Sequence, residues 1–288
     1  MNNKPSSSHR NIEPENSVLY IVGTPIGNLN DFSPRAINIL KNVYLIACED
    51  TRKTNKIMQK FEIKNKLTSF NKNNSYIKIP GIINALNEGK SIALVSDAGL
   101  PGICDPGEDL IKECIARKLN VICIPGPCAA LTALITSGLP SSRFVFEGFL
   151  PRKESERKKI LLEISKNEKT TIIYEAPHRM KKILNELKLF CGGSRQIHIS
   201  RELTKKFEEH FHETIDSAIN SFEGIEIIGE FTIVLKGINQ IKPGFNKIDL
   251  KNELNDLIKA GLSLSAASKY LAKKNQLTKK FIYNLHRI

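Results

Sequence analysis

The order of apolar and polar runs predicts an α/β protein. Short runs rich in Val and Ile at 18–22, 43–48, 91–95 and 121–124 alternate with stretches of helical periodicity. That alternation points to a parallel sheet. A second group of runs, at 143–147, 170–174, 196–200 and 231–236, predicts a second sheet, and past Gly237 the pattern turns helical and lysine-rich. The expected organisation is a polar tail at 1–17, α/β domains at 18–137 and 138–240, and a basic helical appendage at 241–288.

Each element has a local reason. The first run feeds Gly23-Thr24-Pro25-Ile26-Gly27-Asn28, and Ser33-Pro34 then supplies an N-cap and a first-turn proline for a helix with Ala36, Ile37 and Leu40 on one face. The run at 43–48 leads directly into Glu49-Asp50-Thr51-Arg52, either the acidic start of a helix at 51–61 or a functional cluster. The asparagine-rich stretch 71–75 reads as an exposed loop, and Ile82 to Leu86 as an apolar helical face. The run at 91–95 ends in Ser96-Asp97-Ala98-Gly99-Leu100-Pro101-Gly102-Ile103-Cys104-Asp105-Pro106-Gly107, with a helix-like run at 108–119 behind it. The run at 121–124 feeds Pro125-Gly126-Pro127-Cys128-Ala129-Ala130. Open α/β sheets bind ligands beyond the carboxyl ends of their strands, so three such loops are expected to converge on one small molecule. Residues 152–159 hold five basic and two acidic side chains and read as a solvated helix start.

Composition narrows the functional classes. The 288 residues are 41% apolar, enough for two cores, and carry a net charge of +13. Such a charge suits a polyanionic partner, or reflects a composition rich in Lys, Asn and Ile. Between 242 and 287 there are ten basic residues and three acidic, which places much of that charge in one segment. With Leu254, Leu257 and Ile258 before Gly261, and Leu264 to Ala267, Tyr270 and Leu271 after it, the segment resembles a helix-turn-helix. It is expected to dock RNA or to support a dimer. Six cysteines without a Cys-x-x-Cys spacing read as reduced core residues. His210 and His212 have no cysteine or carboxylate at metal-ligand spacing, so no metal is expected. No apolar run approaches the ~18 residues of a membrane span. Neither Gly-x-Gly-x-x-Gly nor a Walker sequence follows the first run, which argues against a dinucleotide enzyme or an NTPase.

Several motifs then occur together and in order. They are Leu-Tyr-Ile-Val-Gly-Thr-Pro-Ile-Gly-Asn-Leu at 19–29, Ala-Cys-Glu-Asp-Thr-Arg at 47–52, Val-Ser-Asp-Ala-Gly at 95–99, Pro-Gly-Pro-Cys-Ala-Ala at 125–130, Glu-Gly-Phe-Leu-Pro at 147–151, Tyr-Glu-Ala-Pro-His-Arg at 174–179 and Arg-Glu-Leu-Thr-Lys at 201–205. With them the chain, from Val18 onward, resembles the ribosomal RNA small subunit methyltransferase I family of the tetrapyrrole methylase superfamily. The resemblance implies a two-domain tetrapyrrole methylase fold with the cofactor cleft between domains, and a cytoplasmic homodimer. It implies transfer of a methyl group from S-adenosyl-L-methionine to the ribose 2′-hydroxyl of a cytidine in the decoding region of 16S ribosomal RNA, in the small ribosomal subunit. By the same resemblance the cofactor would lie against Pro25, Ile26, Asp97, Ala98, Gly99, Leu100, Cys128, Ala129, Ala130, Tyr174, Glu175, Gly229, Glu230 and Phe231. Leu100 stands where the family has threonine, so a hydroxyl is missing there. Glu49, Asp50 and Arg52 are the catalytic candidates, with Glu175 a further carboxylate in reach of the cleft. His178, Arg179, Arg201 and Lys205 are the candidates for holding RNA.

Overall fold

A computed structural model describes residues 13–238, 247–275 and 277–286. These form two compact units, one ending at Ile238 and one beyond it. The expected polar tail lies outside the described residues up to position 12. Residues 13–17, placed in that tail by composition, are instead tied to the first unit. Glu13 takes both arms of the Arg35 guanidinium at 2.8 and 2.6 Å, and the Glu15 amide donates to the Tyr20 hydroxyl at 2.8 Å.

The first half of the larger unit runs β1 (Val18–Val22), α1 (Pro34–Asn42), β2 (Leu45–Cys48), α2 (Thr51–Lys60), β3 (Leu67–Ser69), α3 (Ser75–Asn87), β4 (Ile92–Val95), α4 (Glu108–Ala116) and β5 (Asn120–Ile124). Its five strands are all parallel, in the order β3-β2-β4-β1-β5. Alternation along β1 shows how the sheet is covered on both sides. Val18, Tyr20 and Val22 pack with Ala36, Ile39 and Leu40 of α1, whereas Leu19 and Ile21 pack with Ile83 and Leu86 of α3 and Leu110 of α4. The stretch expected to be a loop at 71–75 is a turn closed by asparagines. The Asn74 side chain accepts from the Asn71 amide at 2.8 Å and donates to the Ser69 hydroxyl, and α3 begins directly at Ser75.

The helix α5 (Ala129–Thr136) leaves the first sheet and packs Ala130, Ala133 and Leu134 on Ile172 and Val234 of the second. That sheet is built from β6 (Phe144–Phe149), β7 (Thr170–Glu175), β8 (Gln196–Arg201), β9 (Glu209–Thr214) and β10 (Phe231–Leu235), with α6 (Glu154–Lys166), α7 (Met180–Cys191) and α8 (Ile215–Ser221) between them. Its order is β6-β7-β10-β8-β9, parallel only between β6 and β7. The helices α6, α7 and α8 cover its other face through Leu161, Ile183, Leu187 and Ala218. The start of α6 is not wholly solvated, as its charge had suggested. Arg157 is 3% exposed and pairs twice with Glu186 of α7, at 2.7 and 2.8 Å.

The second unit is a three-helix cluster of α9 (Lys247–Lys259), α10 (Leu264–Lys274) and α11 (Lys279–Leu285). Leu254, Leu271 and Ile282 form its core. It exceeds the expected helix-turn-helix by one helix, started by Thr278, whose side chain caps the Phe281 amide. Lys242 and Arg287, counted in the basic segment, lie outside the described residues. Only Cys48 and Cys114 of the six free cysteines are fully buried. Cys123 is exposed on the edge strand β5, and Cys104 is exposed in the loop before α4, so neither is a core residue. Among the described residues no helix is long and apolar enough to cross a membrane, and no side-chain group could hold a metal ion.

Candidate active site

The loops at the carboxyl ends of the parallel strands are bound to one another before any ligand is considered. Thr24 and Gly99 exchange backbone hydrogen bonds of 2.9 and 3.1 Å, joining the loop after β1 to the loop after β4. Gly99 does this at φ +78°, in the region that favours glycine. Gly23 and Gly126 bring the loops after β1 and β5 into backbone contact, since a Cβ on Gly23 would lie 2.7 Å from the Gly126 Cα.

Beside these loops, between the two sheets, a cleft of about 440 Å³ opens. Its first-sheet wall is Ile26, Glu49, Asp97 to Leu100, Ile103 to Asp105, Cys128 and Ala129. Its second-sheet wall is Phe149, Tyr174 to Pro177, Leu203 and Glu230 to Thr232. Of the expected cofactor residues, Pro25, Ala130 and Gly229 are not on the walls. Pro25 is buried behind the Thr24–Gly99 bridge. Ala130 lies within α5 with its amide bound to the Tyr174 hydroxyl at 3.0 Å, and Gly229 is packed on Glu202. Ile103, Cys104, Asp105, Phe149, Ala176, Pro177, Leu203 and Thr232 are wall residues that the motifs did not single out as contacts. For Asp105 the available signal was a carboxylate in the glycine-rich loop after the third apolar run.

The lining includes four carboxylates, Glu49, Asp97, Asp105 and Glu230, with a fifth acidic residue, Glu175, whose side chain is closed off from solvent, and it includes no lysine, arginine or histidine among the described residues. Asp97 accepts from the Asp50 amide at 3.1 Å and pairs with Lys53 at 2.8 Å. Glu230 pairs with Lys205 at 2.8 Å. Glu175 is 2% exposed; Oε1 accepts from the Ala176 amide and faces Arg179 at 3.2 Å, while Oε2 has no partner. Burial pushes the Glu175 carboxyl above its ordinary range, against the pull of Arg179. Asp105 is pushed up to about 6, first by burial and then by the charge of Glu49, with the Ser96 hydroxyl opposing. Tyr174 is raised far by burial and stays a neutral phenol.

The other candidates sit as follows. Asp50 caps α2, accepts from the Arg52 amide at 2.9 Å and takes the Arg52 guanidinium on both oxygens, which lowers its pKa strongly. Neither Asp50 nor Arg52 lines the cleft. Arg179 is bound to Glu175 and the Leu150 carbonyl, and Arg201 to Glu209 and the Ile228 carbonyl. His178 is exposed on a 3-10 turn at Pro177–Arg179 next to the cleft wall.

Two α/β layers joined by a helix, with a cleft between them, form a fold that solved methyltransferases share. Solved structures with this fold include uroporphyrin-III C-methyltransferase of Thermus thermophilus (TM-score 0.52, 15% identity, 76% of this chain and 94% of that one). A cobalt precorrin-4 methyltransferase matches with TM-score 0.56 at 15% identity, over 76% of this chain and 95% of that one. Residues 18–219 match the family model of the Tetrapyrrole (Corrin/Porphyrin) Methylases, and the chain belongs to that family. Within it, the chain is 43% identical over 269 residues to a protein of Synechocystis sp. named ribosomal RNA small subunit methyltransferase I (93% of this chain, 96% of the relative). The Bacillus subtilis protein of the same name is 41% identical over 276 residues (94% of each). That of Thermotoga maritima is 44% identical over 219 residues, which is 98% of its own length but 76% of this chain.

Proposed function

We propose that the protein transfers the methyl group of S-adenosyl-L-methionine to the ribose 2′-hydroxyl of a cytidine in the decoding region of 16S ribosomal RNA. It would act on the small ribosomal subunit, in the cytoplasm, as a homodimer. The names of the relatives at 40% identity and above support the substrate. The observation that carries the chemistry is a cleft lined by four open carboxylates in a protein of net charge +13. A basic surface suits an RNA backbone. An acidic cleft suits a cationic small molecule, and this cofactor brings a sulfonium and an ammonium.

The residues divide the work. Asp97 and the backbones at Ala98 to Leu100, Cys128, Ala129 and Glu175 would hold the cofactor, with Ile26 and Leu203 as apolar walls. Leu100 contributes packing and backbone only. The cofactor, when bound, supplies an activated methyl group. The protein must then align the acceptor oxygen with it, a positioning effect of large magnitude, and receive the hydroxyl proton. Asp50 is unsuited to that proton because its carboxylate is fully engaged with Arg52. Glu49 and Asp105 remain, and burial raises Asp105 to about 6.

The test is to incubate the protein with methyl-labelled cofactor and either unmodified small subunits or uroporphyrinogen. Label is expected in a ribose of the subunit RNA, recovered as an alkali-resistant dinucleotide. Label in the tetrapyrrole alone would reject the proposal.

A further inference from the structure

Phe149 is a large aromatic ring left 56% exposed on the cleft wall. A specific backbone irregularity puts it there. In β6, Phe144 and Phe146 lie opposite Thr170 and Ile172 of β7, and the next pairs are Gly148 with Ile173 and Phe149 with Tyr174. Glu147 is thus an extra residue, a β-bulge. Side chains alternate along a strand, so without the bulge Phe149 would point to the face covered by α6 and α7. With it, Phe149 joins Phe146 on the face of Tyr174 and the cleft. Bulges beside active sites commonly re-aim a side chain in this way.

The bulge is specified by sequence. Gly148 sits at φ +62°, and a Cβ there would come 2.8 Å from the Cys104 Sγ. The ring is also held: Tyr174 backs it at 5.6 Å between centroids, and Phe146 meets Tyr174 edge-on at 5.0 Å. One aromatic ring is therefore fixed on the wall with much of its surface open. The deeper apolar wall is closed, with Leu203 at 7% exposure.

We propose that Phe149 is the platform on which the target nucleobase stacks when its ribose enters the cleft. This rests on the ribosomal RNA reading above. The 2′-oxygen is attached to the carbon next to the one bearing the base, so bringing it to the cofactor carries the base to the cleft mouth. There the base has left its neighbours in the strand, and stacking on an aromatic side chain replaces what it lost. Phe149, 56% exposed, is open to a macromolecule at the cleft. The closed wall suits the small cofactor instead.

The experiment compares Phe149→Ala, Phe149→Leu and Phe149→Trp with wild type. It reads kcat/KM on small subunits, calorimetric affinity for S-adenosylhomocysteine, and sedimentation. Loss of one base–aromatic stack corresponds to a fall of roughly ten- to a hundredfold in kcat/KM for the Ala and Leu variants. Cofactor-product affinity and oligomeric state should stay at wild-type levels, and Phe149→Trp should retain activity. A Leu variant as active as wild type shows that any apolar side chain suffices and overturns the proposal. So does a loss of S-adenosylhomocysteine affinity with subunit kinetics unchanged, which assigns the ring to the cofactor. A changed oligomeric state assigns it to an interface between copies. Wild-type protein that labels no subunit removes the substrate reading itself, a result distinct from all of these.

Discussion

Asp105 shows how one carboxyl becomes a usable base in a crowded acidic cleft. Burial and the neighbouring Glu49 charge both disfavour its ionised form and raise it from 3.8 to about 6. In the free enzyme it is therefore largely protonated below pH 6 and largely ionised above it, so kcat/KM should rise with pH through about 6 and then level. Binding a cationic cofactor favours the carboxylate, and the corresponding limb of kcat should fall at lower pH. Asp105→Asn should lower activity by about 10²–10⁴-fold, the usual contribution of a positioned base, and abolish the limb. A pH series of initial rates for both proteins, with S-adenosylhomocysteine affinity measured alongside, checks this. A limb that persists in Asp105→Asn would move the role to Glu49. The sequence made Asp105 visible only as a carboxylate in a glycine-rich loop. Its environment depends on Glu49, fifty-six positions earlier, being carried to the same cleft by the neighbouring strand β2, and no local pattern encodes that pairing. Asp50 was misleading for the converse reason. An N-cap and a catalytic carboxylate look alike in Glu-Asp-Thr-Arg, and only the geometry shows both its oxygens taken by Arg52.

Most strands could be read because their apolar runs are buried on both faces, as in β1, β4 and β10. Those that could not are short or half-exposed. The strand β3 has three residues, none fully buried, and β9 carries Glu209, His210 and His212 at a sheet edge. Helix α3 was foreshortened because Pro80 lies inside it, where a proline normally argues for a boundary. Helix α6 was legible as a helix start but not in its packing. Arg157 looks like one cation among five, yet it alone turns inward, bonding Glu186 and the carbonyls of Pro151 and Arg152. It ties α6 and α7 to the turn after β6 that follows Phe149. Removing one partner of a buried pair strands the other, so Arg157→Ala should destabilise the larger unit by about 3–5 kcal/mol. Replacing both partners by apolar residues of similar size should recover much of that loss. Denaturant melts of the single and double variants measure it, and an effect below about 1 kcal/mol for Arg157→Ala would place this pair with ordinary surface ion pairs.

At the scale of the whole molecule the question is what a separate basic unit adds to a complete methylase fold. The Thermotoga maritima relative is matched along 98% of its length while leaving 24% of this chain without a counterpart, so family membership does not require the full length. The second unit has its own core in Leu254, Leu271 and Ile282. Its acidic residues Asp249, Glu253 and Asp256 are confined to α9, whereas α10 and α11 carry Lys269, Lys273, Lys274, Lys279 and Lys280 and no carboxylate. Lys274 pairs with Glu253 of α9, so Lys269, Lys273, Lys279 and Lys280 carry the cationic character that an RNA-docking module requires. Deleting residues 239–288 should leave S-adenosylhomocysteine affinity unchanged and weaken binding to the small subunit. The dependence of that binding on salt should also become shallower, because each lost phosphate contact removes a counterion-release contribution of about 0.7–0.9 in the log–log slope. Four such lysines on two short helices would supply a few such contacts rather than four, since each helix presents one face to its partner. Filter binding across a salt series, with sedimentation of the truncated protein, separates this from a role in assembly. A truncated protein that keeps the wild-type slope would refute RNA docking, and one that changes its oligomeric state at unchanged slope would assign the unit to contacts between copies.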